Sequence, residues 1–527
     1  MSHRIPVARY LAELFILAML VCVIGCPEEG TDSSNEQSES GTLFAGQTLE
    51  VSTPADHGFS TVWQNLIDEW AAQTGAAYRL REYQPPRGDE RFLDILRSAG
   101  ESPQESRSDG AAGSAKLDAA VVFFPITRAA ELVEAGLLSD VPEGEKGVQA
   151  LDWLDLFRGL RDNVAAVGPK PALVPISSPV LVCYYRGDLL ERAGISPPET
   201  WKEYQRLLDS LHEWAPGLTA VEPWDEEFRA TMFLARAAAY AKHPGNYSFF
   251  FDISSGEPRI GTHGFVRALE MSRNAIAAMP QDVKSYSPAD CRREFFAGRA
   301  AMAIALETGP GSPRLAFGPA WPHDVQNAKP PNAAIDVERP DSMRVVFTPL
   351  PGSSEVYNLS TGSWESSRGT VNRVTLTAFA GLCGAVSAGR DDPSTQAAWN
   401  LLEMLTLDSL NTAFPNATKS LCRSSHVSDP GIWAGDDLAT DEMQAYVEAV
   451  ATSLQSEAVV AELPVVEYEA FRTALSAEIG RMLSPTDPAE PAAVLEATDR
   501  KWRAILKEIG PTKVRASYRR SLGLSER

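Results

Sequence analysis

Motifs that carry catalytic chemistry are scarce in this chain. There is no GxxxxGK[ST] phosphate loop, no HExxH and no GxSxG, so a P-loop, a zinc-peptidase helix and a nucleophile elbow all lack sequence support. The 7 histidines are scattered without ligand spacing and no CxxC occurs, which leaves a zinc site unsupported and predicts no metal and no cofactor. Basic charge is in deficit: 48 Lys and Arg face 70 Asp and Glu, for a formal net charge of −22. Nucleic-acid binders need a basic face, so a polyanionic partner is excluded. Long apolar runs are missing too. The run Leu14 to Ile24 is about half of the roughly 20 residues that span a bilayer.

What is present begins at the N-terminus. His3, Arg4 and Arg9 precede that apolar run, whose start carries Glu13, and it ends in Val23-Ile24-Gly25-Cys26. A basic start, a short apolar core and a small residue before a cut site make a secretory signal. The final four residues resemble the bacterial lipobox, which implies acylation of Cys26 and cleavage before it. Residues 1–25 then read as a signal peptide and 26–47, rich in Ser, Glu, Gly and Asp, as a disordered tether. The expected product is an exported bacterial lipoprotein, membrane-anchored and facing the periplasm or cell exterior.

The body alternates strand and helix patterns, the signature of an α/β fold. Leu117 to Phe124, Val180 to Tyr185 and Ala301 to Leu306 read as buried strands. Trp63, Leu66, Ile67 and Trp70 fall at helical spacing, and Thr200 is a good N-cap for a helix from Trp201 to Trp214. Polar loops are expected over 98–116, 310–341 and 351–370, the last carrying Trp364, and a solvated basic tail over 511–527. Four cysteines remain in the body: Cys183, Cys291, Cys383 and Cys422. They read either as buried thiols, since cysteine packs as a small hydrophobe, or, in an oxidising compartment, as a disulfide, with Cys383 to Cys422 the first pairing to expect. Adjacent Tyr184 and Tyr185 point to opposite faces of a strand, which favours core packing over iron binding.

Ordered segments from about Leu49 to Ile509 resemble the family 1 extracellular solute-binding proteins, the receptors of ATP-binding-cassette sugar importers. The block Cys183-Tyr184-Tyr185-Arg186-Gly187-Asp188-Leu189-Leu190-Glu191-Arg192-Ala193-Gly194-Ile195, followed by Pro197-Pro198-Glu199-Thr200-Trp201, is similar to the family's strand, capped helix and Pro-Pro-x-Thr-Trp. Glu294-Phe295-Phe296-Ala297-Gly298-Arg299-Ala300-Ala301-Met302-Ala303-Ile304 and Val346 to Gly352 resemble two further family blocks. The resemblance implies a periplasmic-binding-protein-like fold (type II), with two lobes joined by crossing hinge segments around a ligand cleft. The lobes are expected over 48–176 and 344–415 (lobe 1) and over 177–343 and 416–510 (lobe 2). It further implies a noncatalytic monomer that captures a small solute, a carbohydrate, for transmembrane permease subunits. Receptors of this fold for iron, polyamines or a sensor, and an exported hydrolase with residues converging in space, are the alternatives.

The resemblance also implies a contact set. Asp56 and His57 follow the first strand, as contacts or as a capped helix start. Phe124 stands where the family has a stacking aromatic, unless it is core, and Arg128 lies one turn on. Glu222-Pro223-Trp224 resembles a Glu-Pro-Tyr contact segment, a buried Trp being the alternative. Glu307 and Thr308 replace a family tryptophan, which argues against a long maltodextrin. Tyr468 matches another family aromatic.

Overall fold

The computed structural model describes residues 43–55, 59–84, 86, 91–98, 116–144, 149–165, 170–306, 339–340, 342–367, 369–406, 420–428, 430 and 438–524. The signal peptide, Cys26, the rest of the tether up to residue 42, and most of the loops expected over 98–116 and 310–341 lie outside them; the end of the expected tether, 43–47, is ordered instead, with Phe44 stacked on Trp70. In chain order the strands are β1 (Thr48–Pro54), β2 (Ala77–Tyr83), β3 (Val121–Pro125), β4 (Val174–Ser177), β5 (Val182–Arg186), β6 (Thr219–Val221), β7 (Ala300–Ala305), β8 (Val345–Pro349), β9 (Glu355–Asn358), β10 (Ser363–Ser366), β11 (Thr375–Thr377), β12 (Leu382–Val386) and β13 (Val459–Ala461). The helices that shape the molecule are α1 (Phe59–Thr74), α2 (Phe92–Ser98), α3 (Ala129–Glu134), α4 (Gly187–Ala193), α5 (Trp201–Asp209), α6 (Arg229–Ala241), α7 (His263–Ala277), α8 (Pro288–Phe296), α9 (Asp392–Thr406), α10 (Thr440–Leu454), α11 (Tyr468–Met482), α12 (Pro491–Ile509) and α13 (Pro511–Ser521).

Two sheets organise these elements. The first has the order β2-β1-β3-β12-β4, the second β6-β7-β5-β8. In the first, β1 runs parallel to β2 and β3, while β12 is antiparallel to β3 and β4. In the second, β5 is antiparallel to β7 and β8. Strands β3, β5 and β7 are buried at every residue, as a strand must be when helices cover both faces of its sheet. Tyr184 packs edge-on to Phe295, Phe296 and Phe347, and both it and Tyr185 are fully buried.

Local chemistry sets the helix limits. The Thr200 hydroxyl accepts from Glu203 N (3.2 Å), and the Glu203 carboxylate accepts from Thr200 N (3.1 Å). This capping box satisfies two otherwise orphaned donors and aims Trp201, Tyr204, Leu207 and Leu208 at the core. Ser287 caps α8 in the same way, with Pro288 behind it. Helix α4 stops at Gly194, whose φ of 67° is left-handed.

The chain passes between the sheets at three places. Residues 178–181 join β4 to β5, 378–381 join β11 to β12, and the segment containing 420–428 leads from α9 towards α10. The passages are bonded to one another. The Ser178 and Thr377 hydroxyls lie 2.9 Å apart, Ser178 N donates to Ser420 Oγ at 3.0 Å, and Leu382 N donates to Ser177 Oγ at 3.1 Å. Strands β11 and β13 pair in parallel beside them.

Three further expectations from the sequence need correction. The second part of lobe 1 was expected to begin at 344, but β8 pairs with β5 in the second sheet, and the return crossing falls at 378–381. An apolar strand has no mark of which sheet it joins. The 351–370 loop contains the β9–β10 hairpin, where Trp364 packs against Tyr357 and under the Arg267 guanidinium. The basic tail is helix α13, with Val514, Ser517 and Tyr518 buried. The cysteines follow the buried-thiol reading and not the disulfide: Cys183, Cys291, Cys383 and Cys422 are all free and buried, and burial pushes the Cys183 and Cys422 thiols up to about 12.

Candidate functional site

The carboxyl end of a strand is where an open α/β sheet presents its loops. At that end of β3 a single tight turn, Ile126–Arg128, leads into α3. Arg128 reaches two carboxylates from there: Glu131 on its own helix (3.0 Å) and Glu469 on α11 (3.2 Å). The second contact links an element of the first sheet's lobe to the helical body of the second. Glu469 is also 3.8 Å from Arg472, and Arg472 is 4.0 Å from Glu462 and donates to the Glu227 carbonyl. Tyr468 completes the row by donating to Glu462 Oε1 at 3.0 Å. Burial pushes the Glu131 carboxyl up against the pull of Arg128, and likewise Glu462 against Arg472.

The backbone around this row is unusual. Ala378 (φ 61°), Leu463 (φ 41°) and Glu467 (φ 58°) are non-glycine residues in the left-handed region. Such residues concentrate at functional sites because the surrounding structure must hold them there. Here they bring β11, β13 and the start of α11 to α3. The gap they leave is a cavity of about 40 Å³ with Thr127, Ala130, Asn163, Glu462, Leu463 and Arg520 in its wall.

The expected contacts are not brought together in one place. Arg128 and Tyr468 belong to one row, joined through Glu469, Arg472 and Glu462. Glu222 and Trp224 belong to a separate buried network: Trp224 Nε1 donates to Glu222 Oε2 (3.0 Å), Arg236 Nη2 donates to Glu222 Oε1 (2.7 Å), and Arg236 lies 4.3 Å from the Trp201 ring centroid. Phe124, Trp224 and Tyr468 have 0% exposure, so in this conformation none of the three offers a ring face to a ligand. Asp56, His57, Glu307 and Thr308 lie outside the described residues. Sequence reasoning missed Glu131, Glu462, Glu469 and Arg472 as site residues. The i, i+4 spacing of Tyr468 to Arg472 and the i, i+3 spacing of Glu469 to Arg472 at a helix start were the available signal.

Two covered sheets joined by three crossing passages, with a polar row between their lobes, define a two-lobed receptor of the type II periplasmic-binding-protein class. The chain belongs to the bacterial extracellular solute-binding protein family, whose model matches residues 98–440. Solved structures share the fold at low identity. The sugar-binding protein MalE from Xanthomonas citri is 18% identical, with 88% of this chain and 98% of that one covered at a TM-score of 0.60. Maltose-bound MalE3 of T. maritima is 16% identical, covering 88% and 100% at 0.57. An ABC-transporter solute-binding protein from Agrobacterium radiobacter K84 in complex with ribitol is 16% identical, covering 88% and 100% at 0.55. Among the described residues no helix is long and apolar enough to cross a membrane.

Proposed function

We propose that this protein is the substrate-binding component of an ATP-binding-cassette importer and captures a carbohydrate or polyol between its lobes. The observation that carries the reading is the row Glu131, Arg128, Glu469, Arg472 and Glu462 running from one lobe to the other. Each sugar hydroxyl both donates and accepts, so alternating guanidinium and carboxylate groups suit it. Glu469, at 35% exposure, is the most accessible member. The 40 Å³ cavity holds a water or two, so a sugar ring enters only once the lobes move apart. Closure around the ligand then reports occupancy to the permease. The sugar and polyol complexes among the similar structures support this ligand class. The role is capture, not turnover, and the working unit is a monomer.

Iron has no observation in its favour: among the described residues no group of three or more His, Cys, Asp or Glu could hold a metal ion. The export reading completes the proposal. A lipid on Cys26 and a tether of about 20 residues would let the receptor range a few tens of Å from the bilayer. Anchoring raises its effective concentration at the permease.

One preparation tests both parts. The Cys26→Ala protein should leave the membrane fraction and, in calorimetric titrations with monosaccharides, maltose, mannitol and ribitol, bind at least one of them. Retention in the membrane fraction contradicts the anchor. Heat only with a non-carbohydrate solute contradicts the ligand class.

A further inference from the structure

Helix α13 follows the last helix expected for the second lobe, and it is held unequally by the two lobes. On the second-lobe side its grip is broad. The Tyr518 hydroxyl accepts from Phe249 N (2.9 Å) and Phe250 N (3.0 Å), and its ring packs edge-on to Phe251. Arg515 donates to the Ser254 carbonyl (2.9 Å) and Arg519 to that of Ile253 (3.0 Å). Ser517 Oγ accepts from Val466 N (3.2 Å), and Tyr247 donates to the Leu522 carbonyl (2.9 Å). On the first-lobe side the polar anchor among the described residues is Arg520 Nη1, which lies 2.5 Å from Glu134 at the end of α3, both side chains about one-fifth exposed. Arg520, Ser517 and Ser521 also wall the 40 Å³ cavity opposite Ala130 and Val133 of α3.

That asymmetry has a mechanical consequence. If the lobes rotate about the crossing passages, α13 stays with the second lobe and the Arg520–Glu134 pair is the contact that must part. Helix α3 also begins next to Arg128, so a pull on its far end bears on the cleft residue at its near end. We propose that α13 is an interlobe strap. Its Arg520–Glu134 pair favours the lobe arrangement seen here and thereby tunes ligand affinity without touching ligand. A contact present in one of two conformations shifts the equilibrium by its differential free energy. The inference rests on the two-lobed fold and not on the identity of the ligand.

Spin labels on exposed Ala72→Cys of α1 and Arg206→Cys of α5 would report the lobe separation in the ligand-free Cys26→Ala protein. The body's native thiols are buried and remain unlabelled. Arg520→Gln and Glu134→Gln, one from each side, should each raise the more separated population roughly twofold to fivefold, the range for a partly exposed ion pair. The exchanged pair Glu134→Arg with Arg520→Glu should return it towards the starting value. Circular dichroism on each variant establishes that it is folded. Interspin distances that match the parent's in both single variants overturn the strap, whatever the sugar titrations give.

Discussion

Glu222→Ala is expected to destabilise the second lobe by about 3–5 kcal/mol, the usual cost of stranding one half of a buried ion pair. Glu222 and Arg236 have side-chain exposures of 0% and 1% and meet at 2.7 Å. Arg236 has one other side-chain acceptor, Ser272 Oγ at 2.9 Å, and the Trp224 indole N–H loses its acceptor in the same step. The alanine variant therefore leaves a guanidinium and an indole without their carboxylate in a wall of Trp201 and Trp224. Chemical denaturation with a two-state fit measures the loss. Apolar replacement of both partners, Glu222→Leu with Arg236→Met, should recover most of it, because the net worth of a buried pair over a well-packed apolar one is small. A single variant as stable as the parent would show that water reaches this network. The prediction also separates two roles. If Glu222 served only to bind ligand, its removal would lower affinity and leave the melting curve in place. As the centre of a core network, its removal moves the melting curve.

Gly381→Ala should cost more than about 3 kcal/mol, because two penalties coincide. At φ +104° an L side chain is strained. A Cβ there would also lie 2.1 Å from the Ser177 carbonyl oxygen and 2.8 Å from its carbon, so backbone would have to yield. The clash falls where β4 and β12 shift register, at Leu382 and Ser177, and two of the three crossing passages meet there. Gly194→Ala serves as the comparison. Its φ is +67° and nothing lies within 4 Å of the added carbon, so strain alone should cost about 1–2 kcal/mol. Equal losses at the two positions would mean that the crossing passages are looser than their hydrogen bonds indicate.

Sequence reasoning worked best where one residue carries a local mechanism. Thr200 with Glu203, Gly194, and the all-apolar β5 and β7 each declare their role over a few residues, and the family blocks built on them led to the right architecture. It failed where the answer depends on a distant partner. Nothing in Val345–Pro349 marks it for β5 rather than for the first sheet. The basic end of the chain looked solvated because Arg515, Arg519 and Arg520 are charged, yet each finds a carbonyl or carboxylate on a segment more than two hundred residues away. The site followed the same division. Arg128 was singled out by its place after a buried strand, and it is a member of the proposed row. Its partner Glu469 was not singled out, since 341 positions separate them. Trp224 suggested a stacking face by its neighbours in sequence, and only the fold turns that face towards Arg236.

The central claim is that ligand sits in the polar row between the lobes. Titration of the Arg128→Ala and Glu469→Ala proteins with the sugar or polyol that the parent binds tests it most directly. Losing a charge-assisted hydrogen bond to a ligand hydroxyl is worth about 1.5–3 kcal/mol, so each variant should bind roughly tenfold to a hundredfold more weakly while circular dichroism shows it folded. Affinity unchanged in both would place the ligand elsewhere and contradict the account.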